Sequence, residues 1–503
     1  MNEKSKSKLR WRLLRWGLIG MTVLMTLAAV LVTEENWRAK RDWENYKRDA
    51  AARGEHLNIA TFVPPPVPDE QNFFAAPIVA ESWKHLQNPA QGQSSYADYR
   101  MHFDIYRGYI EHSPNTFHAK DWQSYYRKFS ETAEGKTNGF PVPPSPGEPA
   151  ADVLFSLSIF DSALEELRQA AARPAARMPV NYEDGFENAG QLLHWLANTK
   201  RCGQFLKLRI QAELENNQGD KALDDVKLFL KVTAASCNQH FLISELVRIA
   251  MFSILQDTLN ESIRQHRWSD AQLAELEDAL AKQDLLANFA SGMEGEKLCA
   301  IDAFEKQRLT REMKNADDSS GKTVIITNSL RWSPTAYFYR NQLAFAEMHR
   351  KFIVPLVDFT NRIVAPAALR HAEAEAAKEL KGFPLYQAQA SMVYPAIAGS
   401  VKKFAHVQTE LDLTRTACAL ERFRLAHGTY PESLAALAPQ FIAAVPNDII
   451  NGQPLRYRRT DDGKFLLYSV GWNETDDGGQ VAKTKTGKID WQNWKSGDWV
   501  WKN

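Results

Sequence analysis

The sequence predicts a mainly α-helical protein with an N-terminal transmembrane helix, a helical body built partly from helical hairpins, and a small α+β module at the C-terminus. Three observations support this fold class. The uncharged run 16–33 lies near the N-terminus, apolar residues recur at steps of three and four through much of 150–430, and an alternating pattern with a turn signal occupies 456–469. With 44% hydrophobic and 24% charged residues, the chain has the composition of a protein that buries a core.

The run 16–33 is predicted to span a lipid bilayer once. Its eighteen residues carry no charge. At about 1.5 Å per residue they reach about 27 Å, close to the thickness of the hydrocarbon core. Six basic residues precede the run, whereas the residues after it carry as many acids as bases. Because basic residues favour the cytoplasmic side, we expect residues 1–15 in the cytoplasm, the anchor in the inner (cytoplasmic) membrane, and the bulk of the chain on the extracytoplasmic, periplasmic side.

A cleaved signal peptide is the alternative interpretation of the same run. Signal peptides carry apolar stretches of about 7–15 residues, followed by a cleavage site of the small-x-small kind. The run 16–33 is longer than that, and no clean site of this kind precedes Thr33. These two features favour an anchor over a cleaved signal.

The residues after the run are expected to lead from the anchor to the body. Residues 34–53 have the pattern of a helix that continues out of the membrane and ends at Gly54. Trp37, Trp43 and Tyr46 are expected at the level of the lipid headgroups, where amphipathic rings are common.

These features divide the chain into five segments. They are a basic tail (1–15), the anchor (16–33), a juxtamembrane helix with a proline-rich spacer (34–72), a helical body (73–395) and a C-terminal module (396–503). Four prolines between Thr61 and Asp69 fix φ and remove backbone donors, so this part is predicted to be a stiff spacer or a strap over the body. Residues 134–150 are predicted to form a loop because they are rich in Pro and Gly.

Apolar periodicity predicts the helices of the body. It indicates one helix over 153–167 and another over 335–362. Residues 201–214 and 220–235 form a predicted hairpin, whose joint at Gly219-Asp220 supplies a C-terminal glycine and an N-cap aspartate. The hairpin resembles a single tetratricopeptide-type unit, and no second copy follows at 34-residue spacing.

Charge and cysteine content bear on the class of partner and on the redox state. The formal net charge is zero, which argues against a nucleic-acid partner because phosphate binding needs a basic surface. The four cysteines, Cys202, Cys237, Cys299 and Cys418, form no CxxC pair, so neither a disulfide-rich scaffold nor a zinc site is expected. Cys202 and Cys237 could face each other on adjacent helices, and both a disulfide and buried free thiols remain open.

The C-terminal segment 411–479 carries an ordered series of short elements. They are a helix that closes at His427-Gly428, a Tyr430-Pro431 turn, a short helix over 433–438, the pair Pro446 and Asp448, and a hairpin that ends at Ser469-Val470-Gly471. This segment resembles the C-terminal half of type II secretion pseudopilins of the major-subunit type. It is also similar to the end of large membrane-anchored proteins of planctomycete and verrucomicrobial type, a group that has no agreed function.

The pseudopilin resemblance implies a calcium site in the loop after the hairpin. In that family the loop binds calcium through Asp side chains and backbone carbonyls, and calcium takes six to eight oxygen ligands. The matching carboxylates here are those of Asp476, Asp477 and Asp498, and a solvated Asp/Gly turn is the alternative. The spacing departs from the family pattern, since eighteen residues separate Gly479 from Asp498.

The N-terminus also departs from the pseudopilin pattern. Pseudopilins place their membrane helix directly after a prepilin-peptidase site and carry a Glu five residues into the mature chain. The run 16–33 contains no acid, and no such site precedes it. We therefore expect that this chain is not processed or polymerised as a pilin.

The sequence assigns no catalytic residue and no resident cofactor. It contains no HExxH, no GxSxG, no phosphate-binding Gly-Lys-Ser/Thr loop and no GxGxxG. Glu294 and Glu296 are interpreted as part of a solvated helix face. The first hypothesis is an interaction or scaffolding component of the cell envelope or of a secretion-type assembly, with envelope proteins as partners. The alternative is an extracytoplasmic hydrolase whose site is assembled from distant residues.

Overall fold

The computed structural model is mainly helical, with a small antiparallel sheet near the C-terminus. It describes residues 3–87, 118–137, 139–182, 189–237, 239–314, 333–381, 390, 397–487, 490 and 493–501. The chain divides into two compact units. Unit 1 comprises residues 1–61, 297–351 and 371–397, and unit 2 comprises residues 62–296, 352–370 and 398–503.

The elements follow one another along the chain with short connections. The helices are α1 (Glu3–Ala52), α2 (Pro77–Gln87), α3 (Ala119–Glu131), α4 (Ala133–Thr137), α5 (Pro149–Leu157), α6 (Asp161–Ala171), α7 (Ala189–Glu215), α8 (Gly219–Cys237), α9 (Leu242–Arg264), α10 (Asp270–Ala281), α11 (Leu285–Lys314), α12 (Thr335–Met348), α13 (Pro366–Lys381) and α14 (Val401–His427). The strands are β1 (Val357–Asp358), β2 (Ile363–Val364), β3 (Arg456–Arg459), β4 (Phe465–Ser469) and β5 (Trp499–Trp501).

Helix α1 is one continuous helix of 50 residues. The predicted continuation out of the run 16–33 is confirmed, and Gly54 ends the helix in the left-handed region at φ +75°. The run is exposed along its whole length, and α1 is long and apolar enough to cross a membrane. Since no Pro or Gly occurs between Met21 and Ala52, the helix has no point at which it would be expected to bend sharply.

The core of unit 1 is built on the second half of α1. Its buried residues are Ala39, Trp43, Tyr46 and Ala50 of α1, Ile301 of α11, and Ala336, Tyr339 and Ala346 of α12. The α1 positions recur at steps of four, three and four, so they share one face of the helix. Two expectations at the headgroup level were therefore wrong, because Trp43 and Tyr46 pack inside this core, whereas Trp37 remains 60% exposed.

The α7–α8 hairpin of unit 2 confirms the predicted pair of helices, with a different joint. Asn217, at φ +55°, takes the left-handed position that was expected of Gly219, and Gln218 N–H donates to Glu213 O at 2.8 Å. Gly219 instead begins α8, where a Cβ would lie 2.8 Å from Gln272 Nε2. Asparagine tolerates the left-handed region well enough to end a helix, and this explains the shift.

Three other predicted elements differ from the structure. The helix expected over 153–167 is two helices, α5 and α6, joined by a 3₁₀ turn over Ser158–Phe160. The helix expected over 335–362 ends at Met348, because Pro355 lacks a backbone donor and the chain turns into the β1–β2 hairpin. The loop expected over 134–150 includes most of the short helix α4.

The proline-rich segment lies against the body of unit 2 as a strap. Arg177 Nε donates to the carbonyl of Pro64 at 3.1 Å, and Asn72 Nδ2 donates to the carbonyl of Arg177 at 2.9 Å. Asn72 Oδ1 in turn accepts the N–H of Arg177 at 2.8 Å. Of the two predicted roles, spacer and strap, these contacts favour the strap.

The C-terminal module follows the predicted order and adds a third strand. Gly428 ends α14 at φ +79°, and β3 and β4 form the expected antiparallel hairpin. Strand β5, which the sequence did not indicate, pairs with β4 in the register Tyr468 to Val500. Trp472, Trp499 and Trp501 are buried, so these tryptophans pack the module.

Candidate functional site

A groove of about 1100 Å³ crosses unit 2 between α7, α9, α14 and the C-terminal segment. Its floor is apolar and includes Leu246, Ile249, Ala250, Val407 and Val500. Carboxylates, amides and basic groups line the remaining walls. A concave surface that combines an apolar floor with a few polar groups is the usual form of a binding site.

Aromatic rings form one end of the groove. The ring of His406 meets Trp499 edge to face with centroids 5.0 Å apart, and meets Trp494 in the same way at 5.9 Å. Burial lowers the pKa of His406 to about 4, so the imidazole is neutral at physiological pH. Trp494 lies at the groove surface, and this end of the groove is therefore an uncharged aromatic wall.

A polar network holds the walls of the groove together. Gln256 Nε2 on α9 donates to the Glu410 carbonyl on α14 at 3.0 Å and also to the Thr414 hydroxyl. The Thr414 hydroxyl and the indole N–H of Trp501 both donate to Asn260 Oδ1, each at 2.9 Å. One amide oxygen thus joins α9, α14 and β5, so the groove is preorganised.

The charged groups along the groove have both signs. Glu215, Asp257 and Glu261 lie near Arg264 and Lys403, and Arg264 is paired with Glu261. A groove with balanced charge does not select a ligand by net charge alone. Amide side chains in the lining, such as those of Gln211 and Gln265, can bond either to N–H donors or to carbonyl acceptors.

The three aspartates predicted to bind calcium do come together in one loop. Asp498 accepts the N–H of Asp477 at 3.1 Å and the N–H of Gly479 at 2.6 Å. Asp477 Oδ2 accepts the N–H of Gly497 at 2.8 Å, and Asp476 Oδ1 accepts the N–H of Gly478 at 3.0 Å. The carboxylates therefore tie the loop to itself through backbone donors.

This bonding pattern does not fit a calcium cage. Asp476 Oδ1 also accepts the Tyr468 hydroxyl at 3.0 Å, and its Oδ2 lies 3.2 Å from Arg456 Nε. Calcium needs oxygens that converge on one point, whereas these oxygens face N–H and O–H donors. Among the residues that the structure describes, no three His, Cys, Asp or Glu side chains are placed to hold a metal ion. Calcium binding stays a prediction that these contacts do not favour.

A second cluster of reactive groups lies where α9 begins against α11. The Ser291 hydroxyl is 2.6 Å from His240 Nδ1, and burial together with the charge of Arg248 lowers the pKa of His240. Burial also raises the pKa of Glu296 to about 7, although the carboxylate accepts the N–H of Leu242. The interpretation of Glu296 as part of a solvated face was therefore wrong.

Two glycines explain this close approach. A Cβ at Gly295 would lie 1.7 Å from the carbonyl oxygen of His240, and one at Gly292 would lie 3.2 Å from Leu242 Cα. The pattern Ser-Gly-x-x-Gly-Glu over 291–296 was the available signal, because small residues on one helix face allow another backbone to come near. The four cysteines are free and buried, so the free-thiol alternative describes Cys202 and Cys237.

No protein-family model, curated protein or solved structure matches this chain. The pseudopilin resemblance of 411–479 is therefore neither supported nor refuted by comparison. The function has to be argued from the anchor helix, the groove and the clusters of side chains themselves.

Proposed function

We propose that this protein is a single-pass membrane protein whose extracytoplasmic body binds a segment of a partner polypeptide in the groove of unit 2. In this proposal, residues 1–15 lie in the cytoplasm, the run 16–33 spans the inner membrane, and the partner is a protein of the cell envelope or of a secretion-type assembly. The protein then acts as a scaffold that holds this partner at the membrane.

The groove is the observation that carries the proposal. Its volume of about 1100 Å³ exceeds the range of roughly 300–1,000 Å³ that small-molecule sites occupy. A polypeptide segment places apolar side chains on one side and N–H and C=O groups on others. The apolar floor around Ile249 and Val407 suits the side chains, and the amides of Gln211 and Gln265 suit the backbone.

The aromatic end favours the same class of ligand. Aromatic rings that stay half-exposed supply much of the binding energy at protein interfaces, because they are large and lose little entropy on binding. Trp494 has this setting, backed by His406 and Trp499. The resemblance to pseudopilins, which act in assemblies, agrees with a protein partner.

Site-specific photo-crosslinking in native membranes tests the proposal. A photoreactive residue replaces Ser253, which lines the groove, in the full-length chain, and a matched chain carries the same residue at Lys231, which is exposed on α8 outside the groove. We expect a discrete adduct with one envelope protein from position 253 and none from position 231. Equal yields from the two positions, or no adduct from either, would contradict the proposal.

A variant that fills the groove provides the second half of the test. Ala250→Trp places an indole on the groove floor, whereas Ala281→Trp adds the same side chain at an exposed site on α10. The first change should lower recovery of the crosslinked partner at least tenfold, while the second leaves it unchanged. Equal helical circular dichroism of the two variants establishes that both are folded.

The Ser291–His240 pair favours hydrolysis as a second candidate function. Because the imidazole is neutral, its Nδ1 can accept the serine proton while Oγ attacks the carbonyl carbon of an ester. The departing alcohol then takes that proton, and a water molecule cleaves the acyl-serine. The left-handed backbone of His240, at φ +56°, is the kind of strain often found at functional sites.

A fluorophosphonate probe separates this second candidate from the first. The probe should label the wild-type protein, and both Ser291→Ala and His240→Gln should abolish labelling. Ser253→Ala, which alters the groove, should label normally. Absence of labelling in the wild type would remove the hydrolase candidate and leave the binding proposal unaffected.

A further inference from the structure

We infer that unit 1 is seated on the membrane surface and binds phospholipid phosphates through a collar formed by Trp37, Arg38 and Arg41. This inference rests on the proposed anchoring of the run 16–33. It goes further, because an anchor alone says nothing of how far above the bilayer the body lies or of what it touches there.

The contacts of unit 1 begin almost where the apolar run ends. Arg340 Nε on α12 lies 2.9 Å from Glu35 Oε1, and Asn36 Oδ1 accepts the N–H of Ala336 at 2.7 Å. At about 1.5 Å per residue, Glu35 and Asn36 are only about 3–5 Å beyond Thr33. The headgroup layer on each side of a bilayer is roughly 5–7 Å thick. The first turn of α12 therefore lies within the headgroup layer.

The helix itself leaves no slack between bilayer and body. Helix α1 runs without interruption from the apolar run to Ala52, and its second half forms the core of unit 1. A flexible tether would let the body drift away from the membrane, whereas a helix shared by anchor and core fixes its height.

The outward face of this first stretch carries the chemistry that phospholipid headgroups bind. Trp37 is exposed, and the Arg41 guanidinium lies 4.9 Å from the centre of its ring. More than half of the Arg38 and Arg41 side chains is exposed, and indole rings with forked guanidinium groups are well suited to the interface and to phosphate oxygens.

The acidic groups nearby do not cancel this face. Glu34 is paired with Arg38 at 2.6 Å. Asp42 lies 4.0 Å from Arg41, and its other oxygen is held by Arg340 at 2.8 Å. Arg41 therefore shares Asp42 with a closer cation, so it retains positive charge for a phosphate at the membrane surface.

Quenching by lipid in vesicles tests the inference with the full-length chain. Lys40→Cys and Ala51→Cys place a fluorophore on exposed positions of the same helix face, eleven residues and about 16 Å apart. The native cysteines are buried and leave little background labelling. In phosphatidylethanolamine and phosphatidylglycerol vesicles with a nitroxide headgroup lipid, we expect quenching at position 40 at least three times that at position 51.

The background substitution Trp37→Ala with Arg41→Gln tests the collar itself. It should reduce quenching at position 40 at least twofold while the protein stays in the vesicles. Equal quenching at positions 40 and 51, or no change in the double variant, would overturn the inference with the anchor intact. Loss of the protein from the vesicles would instead refute the proposed anchor.

Discussion

The two halves of α1 share one continuous backbone but have opposite surroundings. The run 16–33 is almost wholly apolar, yet it has no protein partner and is exposed on every side. The second half is rich in charge, yet it buries Ala39, Trp43, Tyr46 and Ala50 completely or nearly so. Spacing on one face decides what a protein core buries, whereas uniform apolar character on all faces indicates lipid.

The largest effect that separates the two halves is expected from Trp43→Ala. This side chain is 4% exposed and stacks on Tyr46 with centroids 6.0 Å apart. Removing a buried tryptophan should cost about 3–5 kcal/mol of unfolding free energy, measured by thermal unfolding in mild detergent. Trp37→Ala removes the same side chain from an exposed site six residues away and should cost less than about 0.5 kcal/mol. Equal losses from the two variants would break the comparison.

A charge in the first half should act on membrane insertion rather than on the core. Leu24 lies near the centre of the run, where an arginine raises the free energy of insertion by about 3 kcal/mol. We expect Leu24→Arg to shift a substantial fraction of the chain out of alkali-resistant membranes. Leu24→Ile is the matched control and should remain inserted. Full retention of the arginine variant would indicate that the run is held by something other than lipid.

The sequence predicts the elements of this fold where one periodicity governs a long segment. The continuous helix α1, the α7–α8 hairpin and the β3–β4 hairpin all depend on local patterns of this kind. The break after Met348 was missed because the apolar pattern continues past it, although Pro355 already marks a boundary.

The groove could not be predicted because its walls come from distant parts of the chain. Gln211, Gln256, His406 and Trp494 belong to four separate segments, and only the packing of α7, α9, α14 and the C-terminal segment brings them together. Each of these residues is unremarkable within its own helix or loop. The burial of Trp43 and Tyr46 was missed for a related reason, since their partner helix α12 lies about 300 residues further along the chain.

The ion pair just beyond α1 should give a smaller effect that depends on pH. Lys297 Nζ lies 3.0 Å from Glu55 Oε1, and the Lys297 side chain is 2% exposed. Glu55→Gln should cost about 2 kcal/mol at pH 7, less than the loss of a fully buried pair because Glu55 itself reaches solvent. Glu44→Gln, at an exposed site on α1, is the control and should cost nothing measurable.

The pH dependence of that effect follows from the pKa of Glu55. Burial alone would raise this pKa, but the Lys297 ammonium and the Arg53 guanidinium outweigh burial and lower it below the ordinary value of 4.5. The stabilisation is therefore complete above pH 4.5 and is lost as the pH falls through the lowered value. Wild type and Glu55→Gln should converge in unfolding temperature at strongly acidic pH, and a constant difference down to pH 2 would contradict this assignment.

The smallest expected effect is at the clamp that joins α12 to the first turns of α1 after the run. Arg340 holds Glu35 at 2.9 Å and Asp42 at 2.8 Å, and all three side chains are partly exposed. Arg340→Ala should therefore cost about 1 kcal/mol, near the upper end for pairs that reach solvent. Raising the salt concentration to about 1 M shortens the screening length to about 3 Å, so the difference from wild type should shrink. Arg340→Lys keeps the charge but lacks the fork that spans both carboxylates, and it should fall between the two. A loss above about 3 kcal/mol, or one unaffected by salt, would mean that this end of α1 is held by packing, as its buried face further along the helix is.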